Sequence, residues 1–325
     1  MSAFVGIDVS KAKLDVVVLI QEQQTYQQVA NDASGIEALC QWLLTFEAID
    51  LVCLEATGRY GEAAAAALYG AGLPVSVVNP ARIKAFAGSL LTRNKTDKYD
   101  AYLIALFAQR IQPDPWSPPS TAHRFLKQRT RLLRSLEQTA QGYRNRLKAG
   151  ADDPLVLTVI QGVLDDLQPR IDSLQKAIFD FLKQHVYLNQ QRQLLTSIPG
   201  IGDKTAAVLL AEIGDIHNFH STRQLAAYVG VTPRNRQSGS SLNKPARISK
   251  QGNARLRTAL YFPAISAKKW NPICHEFAQR LEHKGKAKKA IIIAVMRKLL
   301  HQVYGILKSG QPFDPHFLEE SDFAA

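Results

Sequence analysis

The chain has 325 residues, 46% of them hydrophobic, enough for two or three domains with substantial cores. It shows no signal-like leader and no uninterrupted run of about 18 apolar residues, so an exported or membrane-spanning protein is not expected. The formal net charge of +12 is unevenly spread: residues 82–150 carry 14 Lys/Arg against 4 Asp/Glu and residues 234–310 carry 17 against 2, whereas residues 1–81 carry 3 against 9.

Basic segments alternating with acidic ones point to a polyanion partner, most simply nucleic acid. The cysteines Cys40, Cys53 and Cys274 are odd in number and lack metal-ligand spacing. They read as buried free thiols in a reducing, cytoplasmic compartment.

Residues 3–9 and 14–20 are β-rich runs around a Ser10-Lys11-Ala12-Lys13 turn, and residues 25–30 form a third, as in a hairpin series. Ile36, Leu39, Cys40, Leu43 and Leu44 recur at helical spacing over residues 35–46. A strand over 51–55, an Ala-rich helix ending near Gly70 or Gly72, a strand over 74–79 and a helix opened by Pro80 follow. Another helix starts at Asp97 and runs to about Arg110. Strands grouped first, then alternating with helices, predict a mixed sheet with helices on its faces.

In such a sheet a site lies at the carboxyl ends of the parallel strands. Asp8 falls late in the first strand and Glu55 closes the fourth. Both follow apolar residues, where a charge needs a partner. In Arg93-Asn94-Lys95-Thr96-Asp97-Lys98-Tyr99-Asp100-Ala101, two acids stand three apart and share a helix face. Four carboxylates aimed at one place repel unless a cation lies among them, and a divalent metal with oxygen ligands is the natural cation. The plainer alternative is an N-cap Asp and a surface Asp complementing the helix N-terminus.

Residues 112–119 are a Pro-rich break. Residues 121–148 read as a strongly basic helix, and 155–187 as a second long helix with Leu164, Leu167, Ile171, Leu174, Ile178 and Leu182 in a stripe. The two form an antiparallel pair, as a coiled-coil-like spacer or dimer contact, or as a hairpin within one domain. Ile198-Pro199-Gly200-Ile201-Gly202 is a tight turn whose backbone amides, with the next helix N-terminus and Lys204, can hold a phosphate. It resembles the helix-hairpin-helix element of DNA-handling proteins.

Residues 232–244 form a Ser/Gly loop flanked by Arg234, Arg236, Lys244, Arg247 and Lys250. It suits a phosphate and can seat a serine nucleophile, since nearby cations favour the alkoxide. The plainer alternative is a flexible loop touching backbone phosphates. Composition does not choose among Ser238, Ser240 and Ser241. Helices are expected over 254–267 and 289–307, joined by a basic loop at 283–289, with a loose tail from 313. Arg93, Lys95, Arg129, Arg131 and Arg134 join Lys204 and the five loop cations as expected nucleic-acid contacts.

Gly6-Ile7-Asp8-Val9-Ser10-Lys11, Leu54-Glu55-Ala56-Thr57-Gly58, Asn94-Lys95-Thr96-Asp97 with Asp100-Ala101, Ile198-Pro199-Gly200-Ile201-Gly202, and Thr232-Pro233 with Ser238-Gly239-Ser240-Ser241 occur in this order. Together they resemble the DEDD transposases of bacterial insertion sequences, which are bridge-RNA-guided DNA recombinases. The resemblance implies an RNase H-like (RuvC-like) α/β domain over 1–115, a helical linker over 116–190, and a mainly helical transposase domain over 191–325. It implies Asp8, Glu55, Asp97 and Asp100 as a tetrad holding Mg²⁺ or Mn²⁺, and Ser238 as the nucleophile. It also implies donor and target DNA, a structured guide RNA, and a dimer that becomes a tetramer in the synapse, acting at the nucleoid.

Three other readings compete. A junction nuclease would keep the metal site and use water as nucleophile. An actin-like ATPase would explain Gly6-Ile7-Asp8 with Ser10, but lacks a second glycine-rich phosphate loop. A non-catalytic binding module would leave four acids unexplained beside a polyanion.

Overall fold

The first elements are the expected strands: β1 (Ala3–Val9), β2 (Lys13–Ile20) and β3 (Gln23–Ala30). In this computed structural model, which describes residues 2–56, 58–90, 96–234, 237–238, 242–243, 247–249 and 251–316, they pair antiparallel in sequence order. After α1 (Ala33–Leu43), β4 (Ile49–Glu55) pairs parallel to β1. After α2 (Arg59–Gly70), β5 (Val75–Val78) pairs parallel to β4. The sheet order is β3-β2-β1-β4-β5, the mixed sheet expected of an RNase H-like domain. Helices α3 (Pro80–Ser89) and α4 (Asp97–Ile111) complete this unit, which spans Met1–Pro118.

Alternation along the strands sorts the side chains onto two faces. Val5, Ile7 and Val9 join Leu39, Leu43 and Leu68 in the core under α1 and α2. On the opposite face Phe4 and Cys53 pack with Ile104 and Phe107, and Val17 and Leu19 pack with Ala101 and Ala105. At the centre of that second face lies Gly6. A Cβ there would stand 2.2 Å from both the Ala101 carbonyl oxygen and the Ala105 amide nitrogen. The missing side chain lets α4 lie directly on β1.

The second compact unit spans Pro119–Ala325. It contains α5 (Thr121–Ala149), α6 (Pro154–Gln184), α7 (Val186–Thr196), α8 (Asp203–Ile213) and α9 (Thr222–Val229). It ends in α10 (Ala254–Trp270), α11 (Pro272–His283) and α12 (Lys288–Ser309). Among the described residues between α9 and α10 are four two-residue strands: β6 (Pro233–Arg234) pairs with β9 (Arg247–Ile248), and β7 (Gln237–Ser238) with β8 (Leu242–Asn243).

Helices α5 and α6 run antiparallel, as Arg129 over Phe181, Gln175 to Glu137 and Arg144 to Gln168 show. They do not stand apart as a separate linker over 116–190. Leu126, Leu133, Ile178 and Leu182 share one core with α8, α10 and α12. Their stripe is therefore covered within this unit. The second long helix ends at Gln184, three residues before the expected end at 187, because His185 adopts an extended backbone, and α7 follows from Val186. Helix α12 is long and apolar enough to cross a membrane by length and composition. Here its Ile291, Val295, Leu299, Leu300 and Val303 are buried in the unit's core.

Candidate active site

The two-residue period places three acids on the face that α4 covers. Asp8 lies two residues beyond Gly6, Glu55 two beyond Cys53, and Asp15 two before Val17. The ladder brings them to one end of the sheet: Ile7 pairs with Leu54, and Asp8 with Asp15. Thr96 caps α4 by accepting from the Tyr99 amide, and Asp97 and Asp100 occupy the first turn. Their acids thus lie at the positive end of the helix, which favours anions there.

The predicted tetrad is electrostatically one cluster. Burial, and then the Asp100, Glu55, Asp97 and Asp15 carboxylates, push Asp8 up to about 6. Burial and Asp100 likewise raise Glu55. Such mutual repulsion is what a bound cation would relieve. Among the described residues, however, no three His, Cys, Asp or Glu side chains stand close enough to hold a metal ion as placed. Asp97 already has a cationic partner here: Lys13 Nζ donates to it at 2.7 Å.

Asp15 escaped sequence reasoning. It is buried, and it accepts from Tyr26 Oη at 2.6 Å and Gln28 Nε2 at 2.8 Å, with Lys13 Nζ 3.2 Å away. Burial works to raise its carboxyl, but these hydrogen bonds outweigh it and hold Asp15 below the usual carboxylate range. The signal was the same as for Asp8: an acid inside an apolar strand.

The basic residues separate into two groups. Arg131 does not point a free guanidinium outward. Its Nε and Nη2 grip buried Glu212 at 2.7 and 3.0 Å, and Asn253 donates to the same carboxylate at 2.9 Å. Burial works to raise Glu212, and these donors more than reverse it. Arg129 stacks 4.2 Å over Phe181, and Lys204 pairs with Glu137. Arg134 is half-buried in a cleft of about 730 Å³ between α5, α6, α8 and α10, together with Lys204, Arg255 and the exposed Phe262. Arg255 and Phe262 were not anticipated; only the packing of α10 against α8 brings them there.

The glycine turn joins α7 to α8. Gly200 adopts φ +104°, and a Cβ there would meet Pro263 and Ala267 of α10 at 2.9 Å. The turn is thus a packing element. Asp203, paired with Arg192, already supplies an anion at the start of α8. Ser238 lies in β7, where its backbone pairs with Leu242, and Arg234 pairs with Arg247. Arg93, Lys95, Arg236, Lys244 and Lys250, with Ser240 and Ser241, lie outside the described residues.

Comparison with known proteins accounts for both units. Residues 5–152, which include all four tetrad positions, match a family of DEDD IS110 type described as "Transposase". Residues 192–279 match the "Transposase IS116/IS110/IS902 family". The pilin gene-inverting protein of Moraxella bovis is 34% identical over 97% of this chain and 99% of its own. The transposase for insertion sequence element IS1111A of Coxiella burnetii is 33% identical over 59% of this chain and 58% of its own. Thermus thermophilus RuvC in complex with a Holliday junction substrate aligns at 17% identity over 36% of this chain and all of its own, with a TM-score of 0.28, too slight a likeness to carry an argument. The chain therefore belongs to the DEDD transposases of the IS116/IS110/IS902 family, enzymes of DNA recombination.

Proposed function

We propose that this transposase cuts and rejoins DNA at the carboxylate site, with Ser238 as nucleophile and a structured guide RNA choosing donor and target. The observation that carries the reading is the gathering of Asp8, Glu55, Asp97 and Asp100 at one end of the sheet, where burial and then the neighbouring carboxylates raise Asp8 to about 6.

The donor set is entirely carboxylate oxygen, which suits Mg²⁺ or Mn²⁺. Asp8, Glu55, Asp97 and Asp100 would hold the ion, which when bound stabilises charge on attacking and leaving oxygens. Ser238 Oγ forms a bond to phosphorus as one P–O bond of the strand breaks. The hydroxyl proton is lost to solvent, and the departing strand oxygen takes one up. The serine ester keeps the energy of the phosphodiester. Attack by another strand's hydroxyl restores Ser238 and rejoins DNA without a high-energy cofactor.

Arg134, Lys204 and Arg255, with the loop cations, would hold nucleic-acid backbones. Sequence choice then passes to base pairing with the guide. The acidic domain of one subunit would work with the serine domain of another, in a dimer that pairs into a tetramer. The name of the Moraxella relative, a gene-inverting protein, fits site-specific rearrangement.

The test is a recombination assay on Asp8→Asn, Glu55→Gln, Asp97→Asn and Asp100→Asn. Each is expected to lose about 100-fold or more in activity while keeping most nucleic-acid binding. Full activity in all four variants would refute the assignment.

A further inference from the structure

Lys13, at the start of β2, is the one described cation whose ammonium touches the predicted tetrad. It faces two carboxylates of opposite character. Behind it, Asp15 is buried and has its own donors from Tyr26 and Gln28 on β3. In front of it, the Asp97 side chain is 56% exposed. Lys98, one residue further along α4, lies 5.2 Å over the Tyr26 ring, so the first turn of α4 is registered on the same Tyr26–Asp15 platform.

The asymmetry decides which partner can leave. Releasing Asp15 would strip a buried carboxylate of a cation, an expensive change. Releasing Asp97 breaks an exposed pair, which contributes little net stability. Lys13 therefore stays on Asp15 while Asp97 can exchange it for another cation.

We propose that Lys13 is a positioning residue and resident counter-cation. Anchored on Asp15, it holds Asp97 beside the other carboxylates while no metal is bound, and yields that carboxylate when a divalent ion enters. The proposal rests on the reading that the tetrad binds metal. It explains why four mutually repelling carboxylates lie together without converging to ligating separation. It also makes Lys13 a competitor of the metal, since its charge repels a dication lying just beyond Asp97.

The test is Mn²⁺ binding to the full-length, DNA-free protein at fixed ionic strength, with free Mn²⁺ counted by electron paramagnetic resonance. A unit charge roughly 5–6 Å from a dication, partly screened by salt, should change affinity about three- to tenfold. Lys13→Met and Lys13→Gln are expected to bind Mn²⁺ tighter by that factor, and Lys13→Arg to stay within about twofold of the parent. Asp8→Asn serves as the reference that loses the site. Unchanged or weaker binding by both neutral variants, with the parent still binding and Asp8→Asn failing, would overturn the role of Lys13 and leave the metal site standing. Equal binding by the parent and Asp8→Asn would overturn both.

Discussion

Asp8 and Asp15 stand directly opposite each other on β1 and β2, yet only one of them is stabilised as an anion. Asp15 takes hydrogen bonds from Tyr26, Gln28 and Lys13 and is held below the usual carboxylate range. Asp8 meets burial and neighbouring carboxylates and is pushed up to about 6. The same strand pair thus builds one structural acid and one poised acid.

Asp8 should destabilise the metal-free fold at neutral pH. With a folded-state value of about 6 against an ordinary 3.8, the folded chain holds a proton that the unfolded chain has released across that window. Stability contributed by the protonated form is therefore lost as pH rises from about 4 through 6. In EDTA, Asp8→Asn is expected to melt higher than the parent at pH 7.5, by about 1 kcal/mol after allowance for partial exposure. The gap should close near pH 4. Thermal melts at the two pH values check this; an Asp8→Asn variant less stable at pH 7.5 would contradict it.

Gly6→Ala should dislodge α4. The new Cβ would clash with backbone at Ala101 and Ala105, which cannot turn away as a side chain can. A loss of about 3 kcal/mol or more is expected, at the upper end of overpacking. Recombination should fall with it, because α4 carries Asp97 and Asp100. Urea unfolding of the variant measures the loss.

Arg131 and Arg134 lie three residues apart on α5 and should behave differently. Arg131→Met leaves Glu212 buried without its main partner, so a loss of about 2–3 kcal/mol is expected, somewhat below that for a fully buried pair. Arg131→Met combined with Glu212→Leu should recover part of it. Arg134→Ala should leave stability nearly unchanged. It should weaken nucleic-acid binding and lower the slope of log affinity against log salt by about 0.7–0.9 if one phosphate contact is lost. Equal effects of the two substitutions on stability would contradict this division.

The sheet and its acids were legible for a simple reason. Alternation, turn residues and charges closing apolar runs are local signals, and they located β1, β4, α4 and the acids these elements carry. The same rule pointed at Asp15, but its partners Tyr26 and Gln28 sit in a polar edge strand whose pairing is a long-range fact. The Arg131–Glu212 pair was illegible because α5 periodicity says which way Arg131 faces, not what it meets. The same limit hid the division into two units: the stripe on α5 and α6 shows that something covers it, and only the packing shows that α8 does. Helix α11 had a local signal, Asn271 capping and Pro272 at the first helical position, between the two helices expected over 254–267 and 289–307.

The central claim is that strand cleavage passes through a protein–DNA ester at Ser238. It is tested by incubating protein purified from cells carrying the complete element and its flanks with target DNA and Mg²⁺, then resolving the products on a denaturing gel with and without protease. The account predicts a protease-sensitive adduct that disappears in Ser238→Ala. DNA cut to free ends, equally by the parent and by Ser238→Ala, would contradict it and establish water as the nucleophile.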